Sequence, residues 1–147
     1  LRSAFSDCAP DLQAILAQTK APSLWGLFRH PVAPVWSKGN VALLGDAAHP
    51  TLPFLAQGAN LAIEDAYVLA RCCAEQTSVP SAFRRYQQLR RDRVVRAIAA
   101  ANANAQNYHL SGIKRSVAFA GLKALGAVAP NAFINRLGWL YDHDVTR

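Results

Sequence analysis

Residues 41–65 read VALLGDAAHPTLPFLAQGANLAIED. The stretch opens on four apolar residues, Val41, Ala42, Leu43 and Leu44. Such a run, without alternation, predicts a strand covered on both faces, as in parallel sheets flanked by helices. It breaks at Gly45-Asp46, passes through a loop shaped by Pro50 and Pro53, and reaches Gly58. A strongly apolar helical pattern follows. The order is strand, carboxylate at the strand end, shaped loop, helix N-terminus. In open α/β sheets ligands bind outside the carboxyl ends of the strands, so the stretch suits a site for a large polar cofactor. Asp46 could accept hydrogen bonds from ligand hydroxyls. It could equally be a turn or cap aspartate, and the local pattern leaves the two readings even. Proline fixes φ and removes a donor, while glycine permits close backbone approach. The helix that opens at 57–60 aims free N–H groups at the loop, a position that favours negative charge. An ordinary strand-loop-helix connection would look the same.

Upstream, residues 1–20 predict a short helix started by Pro10-Asp11, with Leu12, Ile15 and Leu16 on one face. Residues 25–36 read as extended structure. Trp25, Leu27 and Phe28 suit one strand, and 32–36 another that Pro31 and Pro34 demote to an edge. Ser37-Lys38-Gly39-Asn40 signals a turn. A parallel strand at 41–44 needs partners, and the chain supplies few, so they are expected outside it.

Downstream, residues 60–75 predict a helix that is apolar except for a narrow stripe of Glu64, Arg71 and Glu75, hence buried on most sides. Residues 81–109 form the longest periodic segment. Phe83, Tyr86, Arg90, Val94, Ala97, Ala101, Ala105 and Tyr108 recur every three or four residues. Arg84, Arg85, Arg91, Arg93 and Arg96 lie opposite, read as a solvated face with intramolecular pairs. A third helix spans 111–129, softened by Gly121 and Gly126. A short aromatic-rich one at 131–141 is expected to pack back.

Composition narrows the classes. At 147 residues and 52% hydrophobic content the chain is one globular domain's worth. It contains no methionine and begins at Leu1, which suggests a piece of a longer protein. No run reaches the ~18 uninterrupted apolar residues of a membrane helix. Cys8, Cys72 and Cys73 form no C-x-x-C and point to structural thiols in a reducing, cytoplasmic setting. The net charge is +7. Aromatic residues do not interleave with the basic run, so the footprint is not that of a nucleic-acid platform. The four histidines are scattered and no metal site is expected. Glu64 and Asp65 are helix neighbours pointing about 100° apart, which argues against a catalytic carboxylate pair.

Gly45-Asp46-Ala47-Ala48-His49-Pro50, then Pro53-x-x-x-Gln57-Gly58-x-Asn60, then Glu64-Asp65-Ala66, together resemble the second FAD-binding motif of the single-component (class A) flavoprotein aromatic hydroxylases. The nearest subgroup is salicylate-hydroxylase-like, with para-hydroxybenzoate hydroxylase more distant. WGLFRHPVAPVW before the motif, YQQLRRDRVVRA after it, YHLSG at 108–112 and WLYDHD at 139–144 extend the likeness over most of the chain.

The resemblance implies a mostly helical α+β fragment with a few strands, the C-terminal part of a glutathione-reductase-like FAD/NAD(P)-binding α/β fold. Residues 1–40 would end the substrate domain, 41–110 would close the FAD-binding domain, and 111–147 would form a C-terminal helical segment. Asp46 would bind the ribityl chain, with Gly45 allowing close approach. Pro53 would lie beside the isoalloxazine, its carbonyl facing the site where the ring is hydroxylated. Gln57, Gly58, Ala59 and Asn60 would offer backbone groups to the pyrimidine edge, where the helix end favours the reduced flavin. Leu55 and Ala56 stand where many relatives carry glycine. His49 belongs to the motif without an assigned proton-transfer role. The reaction implied is hydroxylation of a small phenolic or aromatic acid with NAD(P)H and O2, the cofactor carrying the chemistry. The eight glycines contain no G-x-G-x-x-G. The portion bearing that motif is therefore expected before residue 1, and the chain alone is expected to bind FAD weakly or not at all. Homo-oligomerisation is left open. The competing readings are a non-enzymatic helical module that has lost FAD, and a basic surface for nucleic acid or anionic membrane.

Overall fold

Two helices carry most of the buried surface, and each places a charge in the middle of its apolar stripe. In the computed structural model, which describes residues 2–147 and all their side chains except those of 133 and 134, the first of these helices is Gly58–Glu75 (α2). We number the helix Pro10–Ala17 as α1. The buried stripe of α2 is Leu61, Asp65, Val68 and Cys72, at spacings of four and three. Val79–Tyr108 (α3) is one continuous helix of 30 residues, entered through Ser78 and Pro80. Pro80 falls in the first turn, where a missing N–H costs nothing. Its buried stripe is Ala82, Tyr86, Arg90, Val94, Ala97, Ala101 and Ala105, with Ile98 beside it. Arg90 meets Asp65 where the stripes of α2 and α3 face. Trp36, fully buried, plugs one end of the core. Its rings lie 5.4 Å from Tyr86 and 5.3 Å from His49.

Gly112–Val128 (α4) and Ala132–Tyr141 (α5) complete the chain. α5 packs back as expected, with Leu140 buried and Trp139 against the core. α4 buries no residue.

The extended elements differ from expectation. Residues 25–36 form no strand. Residues 41–44 yield only the short strand Val41–Ala42 (β2), paired antiparallel with Ser37–Lys38 (β1) in register Ser37↔Ala42. Val41 is 68% exposed rather than buried on both faces. A strand exists only where its N–H and C=O groups find a ladder partner. Among the described residues the turn at Lys38–Asn40 offers one, through Gly39 at φ +59°. The architecture is thus mostly helical with a two-stranded antiparallel hairpin.

Candidate functional site

After β2 the chain turns through a 3-10 turn at Gly45–Ala47. Gly45 adopts φ +57°, and a Cβ there would stand 3.0 Å from the Ala62 Cβ. Both facts demand glycine, so the turn presses on α2 as only glycine allows. Asp46 follows with its side chain exposed. Its Oδ1 lies 3.9 Å from where a Gly58 Cβ would be, over the first turn of α2. No side chain caps that helix. Ala59 and Asn60 are exposed, and no side chain takes the free first-turn N–H groups of α2. Asp46 therefore stands beside the start of α2 at Gly58, next to the exposed Ala59 and Asn60. Gln57 is buried, and its Nε2 donates to the Leu55 carbonyl at 3.3 Å.

Pro53 is exposed and starts a second 3-10 turn, Pro53–Leu55. Its carbonyl accepts the Ala56 N–H at 3.3 Å, which leaves one lone pair facing elsewhere. Pro53 lines a mainly apolar cavity of about 910 Å³ together with Phe54, Tyr108, Phe119 and Tyr141. Ala56 closes the turn in the left-handed region, φ 52°, the one non-glycine so placed among the described residues. A residue with a Cβ pays about 1–2 kcal/mol for this. Two long-range hydrogen bonds oppose that cost. Asn104 Nδ2 donates to Phe54 O at 2.9 Å, and the Tyr141 hydroxyl donates to Leu55 O at 3.1 Å. At about 1 kcal/mol net apiece they offset the strain.

Beneath the turn lies a buried ion network that pattern reading did not assemble. Asp65 Oδ2 accepts from His49 Nε2 at 2.5 Å and from the Gly45 backbone N–H at 3.2 Å. Its Oδ1 accepts from Arg90 Nε at 2.7 Å. One carboxylate in α2 therefore holds both ends of the segment 45–49 and ties it to α3. Arg90 Nη2 reaches Glu64 Oε2 at 2.7 Å, so one guanidinium bridges Glu64 and Asp65. Arg93 grips Glu64 through Nε and Nη2, each at 2.7 Å. It also donates to the carbonyls of Trp139 and Leu140 at 3.1 Å, holding the end of α5. Arg96 stacks 3.8 Å over the Trp139 ring. Arg93 is thus a structural member of the network, while Arg84, Arg85 and Arg96 are exposed and Arg96 makes an intramolecular pair with Trp139, as a solvated face with intramolecular pairs would. Burial alone would raise the Asp65 carboxyl, but its hydrogen bonds to His49 and Arg90 outweigh that and hold it below its ordinary value. Burial likewise opposes ionisation of Glu64, and Arg93 and Arg90 prevail there too. His49 Nδ1 is buried with no partner. The signal available in sequence was Arg90 interrupting an apolar row, with Asp65 doing the same one helix earlier.

The chain's pattern matches the FAD binding domain family over residues 9–101. The chain belongs to that family. Among curated relatives it is 43% identical over 99 residues to 6-hydroxynicotinate 3-monooxygenase of Bordetella bronchiseptica, covering 65% of this chain and 26% of that protein. It is 33% identical over 147 residues to 3-hydroxybenzoate 6-hydroxylase of Polaromonas naphthalenivorans, covering 99% of this chain and 36% of that one. Salicylate hydroxylase of Pseudomonas putida is 33% identical over 139 residues, covering 92% of this chain and 30% of that enzyme. The family member described here therefore spans a minor part of the length of each relative. FAD is the cofactor of the family. The recognised resemblance to aromatic hydroxylases agrees with the names these relatives carry. Among the described residues no helix is long and apolar enough to cross a membrane.

Proposed function

We propose that this chain is the flavin-and-ribityl side of an FAD-dependent monooxygenase that hydroxylates a small phenolic or aromatic acid with NAD(P)H and O2. The observation that carries the reading is the exposed Asp46 carboxylate standing over the uncapped N-terminus of α2. A polyhydroxylated chain needs an acceptor, and an anionic ring edge needs donors. Asp46 and the start of α2 offer both, and the Gly45 contact with Ala62 keeps them adjacent.

In this reading Asp46 accepts hydrogen bonds from ribityl hydroxyls. The backbone at Gln57, Gly58, Ala59 and Asn60 supplies donors to the pyrimidine edge. Pro53 lies beside the isoalloxazine and lends its carbonyl to the substrate site. Bound FAD supplies the transfer of electrons from NAD(P)H to O2 and the activated oxygen. The chain's residues orient the cofactor and keep water from the ring through the apolar faces around Pro53 and Phe54. The adenosine and phosphates fall to a G-x-G-x-x-G-bearing portion outside these residues. Residues 1–40 then belong to the substrate domain, 41–110 to the FAD-binding domain and 111–147 to a C-terminal helical segment.

Titration of the full-length protein with FAD tests the reading. Wild type should be yellow and saturable, and Asp46→Ala should weaken binding roughly tenfold to a hundredfold, as expected for charge-assisted hydrogen bonds. 6-Hydroxynicotinate, 3-hydroxybenzoate and salicylate are the first substrates to try, with NAD(P)H oxidation and product followed together. A colourless full-length protein that gains no thermal stability from FAD would sink the proposal.

A further inference from the structure

The 53–56 turn is held from behind by residues distant in sequence. Phe54 O and Leu55 O are consecutive carbonyls, and each accepts from a different helix. Asn104 in α3 donates to the first, and Tyr141 at the end of α5 donates to the second. Asn107 Nδ2 donates to Asn104 Oδ1 at 2.9 Å, which orients the Asn104 amide so that its own Nδ2 faces Phe54 O. The Phe54 and Tyr108 rings meet at 5.5 Å and close the same side. Asn104, Asn107, Tyr108 and Tyr141 all lie beyond the residues matched by the FAD binding domain pattern. Ala56 in the left-handed region shows that the turn does not rest in a conformation its residues prefer.

The geometry points to Asn104 and Tyr141 as positioning residues that fix the 53–56 turn, and with it Pro53 and the start of α2, against the flavin. Both act through backbone carbonyls. The inference rests on the proposed reading of 53–60 as the flavin side. It adds that the C-terminal helices decide how firmly that side is presented. The two are not equal. Leu55 O keeps Gln57 Nε2 as a second donor at 3.3 Å, whereas Phe54 O has Asn104 alone as its side-chain donor.

Full-length Asn104→Ala and Tyr141→Phe enzymes test this with FAD as the probe. The readouts are FAD dissociation constant by quenching of flavin fluorescence, the absorption spectrum of bound flavin, and the melting temperature of the apoprotein. Asn104→Ala should weaken FAD binding about three- to tenfold and shift the flavin band. Tyr141→Phe should do the same more weakly, and the apoprotein should melt as wild type does. Tyr141 is half exposed and loses only one oxygen, so that variant reports even where Asn104→Ala does not fold. Lowered apoprotein melting with an unchanged dissociation constant and spectrum would overturn the inference, leaving both residues merely structural. Failure of wild type to bind FAD would instead overturn the reading on which it rests.

Discussion

Two regions of this chain are equally apolar and have opposite fates. Between Trp36 and Ala105 a core of Trp36, Leu61, Val68, Tyr86 and Val94 is buried around α2 and α3. Between residues 21 and 35, and again along α4, they stand in solvent. Trp36 has no exposed surface, whereas Trp25 is 82% exposed and Leu24 fully so. Trp36 has its polar groups met. Its backbone N–H donates to Gln87 Oε1 and its indole N–H to Ala33 O, both at 2.9 Å. Hydrophobicity alone did not select the core. The buried region is the one in which two helical stripes match in register and a carboxylate-guanidinium network lies between them. Exposed apolar surface of the other kind usually marks an interface.

The sharpest way to break the contrast is Asp65→Asn. It removes the charge that Arg90 and His49 meet, leaves Arg90 with Glu64 as its remaining carboxylate and gives Gly45, His49 and Arg90 one acceptor oxygen to share, and should cost about 3 kcal/mol in denaturant unfolding. The pH dependence follows with a definite sign. The folded Asp65 and Glu64 carboxyls lie below their ordinary values of 3.8 and 4.5. The native state therefore binds fewer protons than the unfolded one there. Their stabilisation is fully present above the ordinary carboxylate range and is lost as pH falls through the folded values. Acid unfolding of wild type should steepen below about pH 4, and Asp65→Asn should flatten that limb. An unaltered acid limb in the variant would show the network to be idle.

Next in size is Gly45→Ala, which sets a Cβ 3.0 Å from Ala62 at a positive φ. A loss of about 1–3 kcal/mol is expected, with a shift of the α2 start visible as faster exchange of its first amides. Ala56→Gly runs the other way: relief of left-handed strain should stabilise the chain by up to about 1 kcal/mol. Smallest of all, Trp25→Ser should change this chain's stability by less than about 0.5 kcal/mol, since the ring buries little. Native-state hydrogen exchange draws the same line at amide resolution. Amides of α2 and α3 at 61–72 and 86–101 should be the slowest, and those at 23–30, all exposed, should exchange near the unprotected rate. Protection at 24–28 would contradict the contrast directly.

The helices were legible in the sequence because helical hydrogen bonds close within four residues and leave a local signature. Pro10 and Gly58 marked helix starts to within two or three residues. The motif that carries Asp46 and 58–60 was legible, and the fold sets Asp46 beside Gly58. The strands at 25–36 were misread. A strand's partners are non-local, and apolar β-formers such as Trp25 and Phe28 state a preference that nothing in the described chain satisfies. The motif names Pro53, but only the packing of the C-terminal helices supplies the cavity onto which it opens.

By itself the sequence determined the helical periods, the glycine at 45 and the carboxylate at 46, because each depends on residues within one or two turns. Only the tertiary structure decided that Asp65 would bind His49, Gly45 and Arg90 together, and that Asn104 and Tyr141 would hold the 53–56 turn. Those contacts join residues 16 to 86 positions apart, beyond any local pattern. They are set by how α2, α3 and α5 pack, and buried charges allow only arrangements in which each finds its partner.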